Sequence, residues 1–318
     1  MTALDVLPVS VIIPTFNRRK TVGAAIDSVL NQTVSPAEIL VVDDGSQDGT
    51  KAFLDRRYGA RITCIRQDNQ GVAAARNTGI SQAGQPFVAF LDSDDIWTPN
   101  KLEQQYPAML DRNVVLSASD WAWSDLETHS QFRKIGSSIN QPYSVLQHPL
   151  EYLARSRGHG IAIQTCICRR DVLSDLGGFD RRFRITEDND LLFRLAEKGT
   201  FALVPDVLML RCSDGGVAHL TDTRSSQWRA ENLDNMLRIV DARMAVSVGE
   251  STRNALRRRW GQLAIDRARL HTASGATSAA RALYFKQFIT FHPTKQTVIA
   301  AAGMIAPALV EKLQRSGR

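Results

Sequence analysis

Three carboxylates fall within four positions in the stretch FLDSDDIW: Asp92, Asp94 and Asp95. They follow PFVAFL, an apolar run that reads as a β-strand. Like charges this close at a strand tip repel, and unrelieved they raise one another's pKa or destabilise the fold. A hard divalent cation removes the conflict. Mg2+ and Mn2+ prefer oxygen ligands and typically take one or two carboxylates plus phosphate oxygens from a substrate. Asp92 and Asp94 therefore read as half a metal site that a diphosphate would complete. A plainer reading makes Asp94 or Asp95 a helix N-cap before Ile96-Trp97-Thr98-Pro99.

The elements that must position these acids follow from the apolar pattern. Strands are expected at Val9 to Thr15, Glu38 to Asp44, Arg61 to Arg66, Phe87 to Leu91 and Val114 to Ser119. Between them lie helical spacings: around 22–30, Asp48 to Tyr58, Val72 to Gln82, and Asn100 to Leu110. Alternating βαβα with near-continuous apolar strands implies an α/β fold with a mostly parallel sheet covered on both faces. Ligands bind such sheets beyond the carboxyl ends of the strands. Those ends carry Pro14-Thr15-Phe16-Asn17-Arg18, Asp43-Asp44-Gly45-Ser46 and Asp92-Ser93-Asp94-Asp95, so the polar residues gather where a ligand crevice is expected.

From Trp121 to about Ser213 the pattern turns irregular. Ala162 to Arg170 reads as a strand, and Ile185 to Gly199 as a loop entering a helix with Gly199 as its C′ stop. From about Ser225 onward the chain reads as helices broken near Gly249, Gly275 and Pro293. Charge divides in the same place. Residues 1–223 hold 23 Lys and Arg against 27 Asp and Glu, whereas residues 224–318 hold 16 against 6. A basic tail suits an anionic surface, and it equally suits a set of solvated helix faces. The N-terminal residues lack the pattern of a secretory signal, and no run of about 18 apolar residues predicts a spanning helix. Cys64, Cys166, Cys168 and Cys212 have no zinc spacing and read as small buried hydrophobes in a reducing cytoplasm.

Five stretches occur in order: VSVIIPTFNR, ILVVDDGSQDGT, NQGVAAARNTGI, FVAFLDSDDIWTPNKL, and GGFDRRF followed by ITEDNDL. Together they resemble the family 2 glycosyltransferases of the GT-A fold, over roughly residues 9–220. The resemblance implies a GT-A catalytic domain at 1–223, with a nucleotide-binding half at about 9–119 and an acceptor half at about 120–223. The basic helical region at 224–318 follows it. It also implies roles. Pro14, Thr15, Asn17 and Arg18 contact the nucleotide. Asp43 reads the nucleobase, which is sensible chemistry for a carboxylate facing a uracil N3–H. Asp44 caps the turn at Gly45-Ser46 or joins the nucleotide. Arg76 lies near base and phosphates. Asp92, Ser93 and Asp94 form the D-x-D element, with Asp94 on the metal, Asp92 on the ribose, donor sugar or metal, and Asp95 capping the next helix. Glu187 and Asp188 match the E-D pair, whose Asp is the general base in inverting members. One departure concerns a histidine that many relatives use on the metal: its slot holds Ser213, with Asp214 or His219 as substitutes.

The function implied is an inverting, Mn2+- or Mg2+-dependent transferase that moves a sugar from a nucleotide-diphosphate donor, a UDP-sugar, to a hydroxyl of a glycan or lipid-linked acceptor. The chain would be cytoplasmic. Its tail mixes apolar residues and arginines at helical spacing over Arg253 to Leu270, and carries an apolar stretch too short to span a bilayer at Val298 to Leu313. It would rest on the inner face of the cell membrane, or form a helical bundle packed on the catalytic domain or on a second subunit as a homo-oligomer. Nucleic acid is not an expected partner, because no aromatics interleave with the arginines. A nucleotidyltransferase would want a Gly-rich basic loop after the first strand, and PTFNRRK has no glycine. A non-catalytic nucleotide-sugar binder would have no need to keep Asp43, Asp92, Asp94 and Asp188. Trp121 and Trp123 are candidates for stacking on a sugar face or for ordinary packing.

Overall fold

A computed structural model describes residues 5–124, 131–134, 142–156, 160–212, 225–246 and 248–290. The chain divides into two compact units, Met1–Val217 and Ala218–Arg318. In the first, strand and helix alternate as the apolar pattern dictates: β1 (Val6–Thr15), α1 (Val22–Leu30), β2 (Ser35–Asp43), α2 (Thr50–Tyr58), β3 (Thr63–Arg66), α3 (Val72–Gln82) and β4 (Phe87–Phe90). There follow β5 (Asp95–Trp97), α4 (Lys101–Gln105), β6 (Val114–Trp123), α5 (Gln131–Lys134), β7 (Ser144–Leu146) and α6 (Pro149–Arg155). The unit ends with β8 (Cys166–Arg169), α7 (Arg170–Asp175), α8 (Glu187–Leu195) and β9 (Thr200–Arg211).

The strands form one sheet in the order β3-β2-β1-β4-β8-β6-β9-β5, with β7 also on β9. The pairs β1/β2, β1/β4, β2/β3 and β6/β9 are parallel; β8 runs against both β4 and β6. Strands β1, β2, β4, β6 and β9 therefore all finish at one edge. Val9, Val11 and Ile13 of β1 pack with Val22, Ala25, Ile26 and Val29 of α1 in the main core. The intervening Ile12 faces α3, where Gly79 allows the close approach: a Cβ there would lie 2.5 Å from Ile12 Cγ2.

Several elements depart from the sequence expectation. Asp95 opens β5, antiparallel to β9 with Asp95 opposite Arg211, so it caps no helix. The helix expected over Asn100 to Leu110 is α-helical only through Gln105 and continues as a 3-10 turn over Tyr106–Leu110. Pro107 has no N–H to bond back to Glu103. The strand expected from Ala162 begins at Cys166, because Ile163–Thr165 forms a 3-10 turn in which Thr165 N–H and Oγ1 both donate to the Ala162 carbonyl, at 2.9 and 2.6 Å. Gly199 is not a left-handed helix stop: α8 ends at Leu195, and Gly199 is absent from the positive-φ residues. It is small because a Cβ would lie 2.6 Å from both the Asn113 carbonyl and Val115 Cγ1.

The second unit holds α9 (Ser226–Met244), α10 (Glu250–Ala273) and α11 (Thr277–Thr290). Ser225 caps α9 by accepting from Trp228 N–H at 3.3 Å. Gly275, at φ +78°, makes the turn between α10 and α11. Arg267 pairs with Asp234 at 2.7 Å, tying α10 to α9, and Trp260 is buried with Lys286 5.1 Å from its ring centroid. Among the described residues no helix is long and apolar enough to cross a membrane. The apolar stretch at 298–313 and Pro293 lie outside the described residues.

Replacing Gly79 with alanine tests the α3–β1 contact. The added methyl overpacks Ile12 and is expected to lower unfolding stability by roughly 1–3 kcal/mol, read as a fall in urea midpoint; an unmoved midpoint would mean that α3 shifts freely.

Candidate active site at the carboxyl edge of the sheet

The chain leaves β4 and re-enters the sheet in β5, on the far side of β8, β6 and β9. Leu91 to Asp94 must therefore cross the carboxyl edge, which is why the acidic run lies there. Asp92, Asp94 and Asp95 each offer a carboxylate oxygen, and these oxygens lie within 4.8 Å of one another. Asp92 Oδ1 accepts from Arg76 at 2.8 Å and its Oδ2 from Gln164 Nε2. Burial opposes ionisation of Asp92, but the Arg76 guanidinium and these bonds hold its carboxyl below the ordinary range. Asp94 Oδ2 lies 3.8 Å from Arg18 Nε. Asp95 is 3% exposed, and burial followed by the charges of Asp92 and Asp94 pushes it well above the usual carboxylate range. Ser93 is buried between them in the turn closed by Asp95 N–H on the Asp92 carbonyl, at 3.2 Å.

This donor set fits a divalent cation. It offers hard oxygens only, and Asp95 lacks enough nearby positive charge to stay ionised at its ordinary pKa. Asp92, Asp94 and Asp95 together are the residues that could hold the ion, with both oxygens of Asp92 also engaged by Arg76 and Gln164. The assignment of Asp95 to a helix cap is thus corrected; the sequence signal was there, in a third carboxylate next to the D-x-D pair. His219, Ser213 and Asp214 lie outside the described residues.

The ends of β1 and β2 are locked together. Thr15 sits opposite Asp43 in the ladder, next to Pro14 opposite Val42. Asn17 adopts φ +53°; its N–H donates to Ser46 Oγ at 2.9 Å and its Oδ1 accepts from Gln47 N–H at 2.8 Å. Asp43 is fully buried. One oxygen accepts from Ser46 N–H at 2.9 Å and the other pairs with Arg66 at 3.0 Å. The turn-capping role expected of Asp44 therefore belongs to Asp43. Asp44 instead accepts from Gln67 Nε2, Gln70 N–H and Gly71 N–H at 2.7, 3.0 and 2.8 Å, which ties down the loop before α3. Both its oxygens are occupied and it is buried, so in this structure it anchors that loop. Thr15 Oγ1 is buried with no hydrogen-bond partner, a vacancy that a ligand polar group would fill.

The third wall is the start of α8. Its N-cap Thr186 takes φ +69°, a strained conformation for a threonine. Glu187 accepts from Arg76 at 2.7 Å. Burial, then the charge of Asp188, raises the Glu187 pKa to about 7 against the pull of Arg76. Arg76 stays charged, and its pull on Glu187 does not outweigh the burial and the Asp188 charge. Asp188 is half-buried, and its Oδ1 accepts from Asn189 N–H at 2.7 Å. Asp190 points elsewhere, pairing with Arg194 at 2.7 Å.

Sequence reasoning missed two participants. Arg66, at the end of β3, was legible in principle because it ends the strand beside Asp43. Gln164 had no local signal, lying 72 positions from its partner Asp92. It is held from behind: Trp97 Nε1 donates to the Gln164 carbonyl at 3.0 Å, and Lys101 Nζ donates to the Thr165 carbonyl at 3.2 Å. Burial lowers Lys101 to a pKa of about 7. Trp121 and Trp123 lie edge to face with centroids 6.4 Å apart, and Arg211 sits 5.1 Å from the Trp123 centroid.

The glycosyl transferase family 2 model matches residues 10–177, more than half of the chain, and the chain belongs to that family. It is 44% identical over 112 residues to the Escherichia coli UDP-Glc:alpha-D-GlcNAc-diphosphoundecaprenol beta-1,3-glucosyltransferase WfgD, covering 35% of this chain and 44% of WfgD. It is 37% identical over 114 residues to the E. coli enzyme WfaP of the same description, covering 36% and 45%. These matches span less than half the length of either relative. Among solved structures, S. aureus TarS 1-349 in complex with UDP-GlcNAc matches with a TM-score of 0.69 at 18% identity, over 98% of this chain and 93% of that one. The Pyrobaculum calidifontis mannosyltransferase PcManGT, in complex with GDP-Man and Mn2+, matches with a TM-score of 0.57 at 17% identity, over 97% and 84%. The fold is the GT-A fold expected from the sequence.

Two outcomes follow from the charges. Mn2+ at about 100 times its Kd is expected to stabilise the wild type by about 2.7 kcal/mol, read as a rise in melting temperature. Asp95→Asn should shrink that rise, and an undiminished rise would place the ion elsewhere. For Glu187 the folded pKa of about 7 exceeds the unfolded 4.5, so the stability it allows below pH 4.5 is lost as pH climbs towards 7. Glu187→Gln should therefore gain stability relative to wild type between pH 5 and about 8, measured by melting temperature across that series.

Proposed function

We propose that the chain is a metal-dependent, inverting glycosyltransferase that takes a sugar from a UDP-sugar donor to a hydroxyl of a glycan or lipid-linked acceptor. One observation carries the reading: the acidic cluster after β4 and the acidic start of α8 meet through Arg76 at the sheet edge where ligands bind this type of fold. The donors and acceptors in the names of WfgD and WfaP support the UDP-sugar and the lipid-linked acceptor. Catalysis is assigned to residues 1–223, with the nucleotide on 9–119 and the acceptor on 120–223. Asp43 and Thr15 face the base and ribose side, with Pro14, Asn17 and Arg18 lining the approach. The basic region 224–318 would meet an anionic membrane surface on the cytoplasmic side, or a second copy of the chain.

In this reading Asp188 removes the proton from the acceptor hydroxyl as its oxygen attacks the anomeric carbon. The bond from that carbon to the β-phosphate oxygen breaks on the opposite face, so configuration inverts, and the nucleoside diphosphate leaves. A divalent ion held by Asp92, Asp94 and Asp95 would supply charge neutralisation for the leaving diphosphate. Arg18, beside Asp94, adds positive charge on the same side.

Asp188→Asn keeps the shape of the base and removes its proton affinity. Sugar transfer is expected to fall by about 10²–10⁴-fold, with UDP affinity by calorimetry unchanged. Transfer that survives the substitution would remove Asp188 from the role of base, and a product that retains the donor's anomeric configuration would remove the inverting mechanism.

A further inference from the structure

Arg76, in the third of the five sequence stretches, touches both the fourth and the fifth. Its NH2 group donates to Asp92 at 2.8 Å and its NH1 group to Glu187 at 2.7 Å. Its guanidinium carbon lies 5.2 Å from the ring centroid of Phe179, in the GGFD stretch. The next residue closes the same junction: Asn77 Oδ1 accepts from Phe179 N–H at 2.7 Å, and its Nδ2 donates to the Phe179 carbonyl at 2.8 Å. Arg76 is 3% exposed, and its Nε is buried with no partner. The guanidinium is thus nearly enclosed, with one N–H of each terminal nitrogen given to a carboxylate.

We propose that Arg76 is a positioning residue that couples the donor side of the site to the base, fixing Asp92 and the first turn of α8 relative to each other. This rests on the reading of Asp188 as base and departs from the expectation that Arg76 contacts the base or phosphates. The physical argument is geometric. A planar guanidinium holds two carboxylates in a fixed fork, which a lysine ammonium, a point charge on a flexible stem, does not reproduce. Asp188 directly follows Glu187, so its place depends on where Arg76 holds the helix start. Thr186 stays in its left-handed conformation only while its surroundings over-determine it, and the Arg76–Glu187 bond is one such constraint.

The test compares wild type, Arg76→Lys, Arg76→Met and Arg76→Met/Glu187→Gln, using UDP calorimetry, turnover of a UDP-sugar panel, melting temperature, and amide exchange at Glu187 to Asp190. Turnover in both single variants is expected to fall by about 10²-fold, with the UDP Kd within about threefold of wild type. Exchange at the start of α8 should quicken in both. The double variant replaces the Glu187 carboxyl left without its partner by an amide, so its melting temperature should recover while turnover stays low. UDP binding weakened more than about tenfold with turnover at saturation preserved would mark uniform ligand binding instead. Recovery of turnover together with stability would reduce Arg76 to a structural part. Unchanged exchange in Arg76→Met would overturn the coupling whatever the activity. A wild type that turns over no UDP-sugar fails the proposed function alone, and the exchange measurement still decides the role of Arg76.

Discussion

The site is organised by repulsion that has to be relieved. Asp92, Asp94 and Asp95 crowd one end of the sheet, and Glu187 and Asp188 stand at the start of α8. Arg76 lies between these two groups, buried, with one terminal nitrogen committed to each. Asp92 is thereby kept ionised, while Asp95 and Glu187 are pushed towards their neutral forms. A structure that leaves carboxylates under this stress is poised for added positive charge. Isolated buried charges are too costly to persist without such a partner.

Strain gathers at the same edge. Among the described residues the only non-glycine positions with positive φ are Asn17 and Thr186, one at the end of β1 and one at the cap of α8. Each is held by its neighbours: Asn17 by paired bonds to the Ser46-Gln47 turn, and Thr186 by its place ahead of the Arg76-bound Glu187. Such conformations cost on the order of 1–3 kcal/mol and persist where the surroundings over-determine them. The end of β1 and the start of α8 are thus each set by local backbone that the rest of the fold compels.

Much of this was legible in the chain order. The apolar runs from Val9 to Ser119 place strands and helices where they occur, because fully buried strands need continuous apolar residues and covering helices need an apolar stripe. Helix α3 spans the expected Val72–Gln82. The polar clusters at the strand ends converge as the parallel pattern requires. Errors came where local signals had a competing use. Asp95 looks like a cap before a helix, yet pairing with β9 makes it a strand start. Gly199 looks like a helix stop, yet its size serves contact with Asn113 and Val115. Asp43 takes the turn cap expected of its neighbour, while Asp44, just past the end of β2, ties down the loop before α3.

The sequence alone determined the fold class, the edge at which the chemistry gathers and the residue types available there, since all three follow from periodicity and from which residues end each strand. Tertiary structure alone decided which acids are held charged and which are pushed towards neutrality. Gln164 and Glu187 lie 72 and 95 positions from Asp92 and no local pattern connects them to it. Only when β8 inserts between β4 and β6, and α8 is drawn onto Arg76, does each carboxylate acquire the neighbour that fixes its charge. Pairwise electrostatics depend on distance in space, and the chain order does not contain that distance.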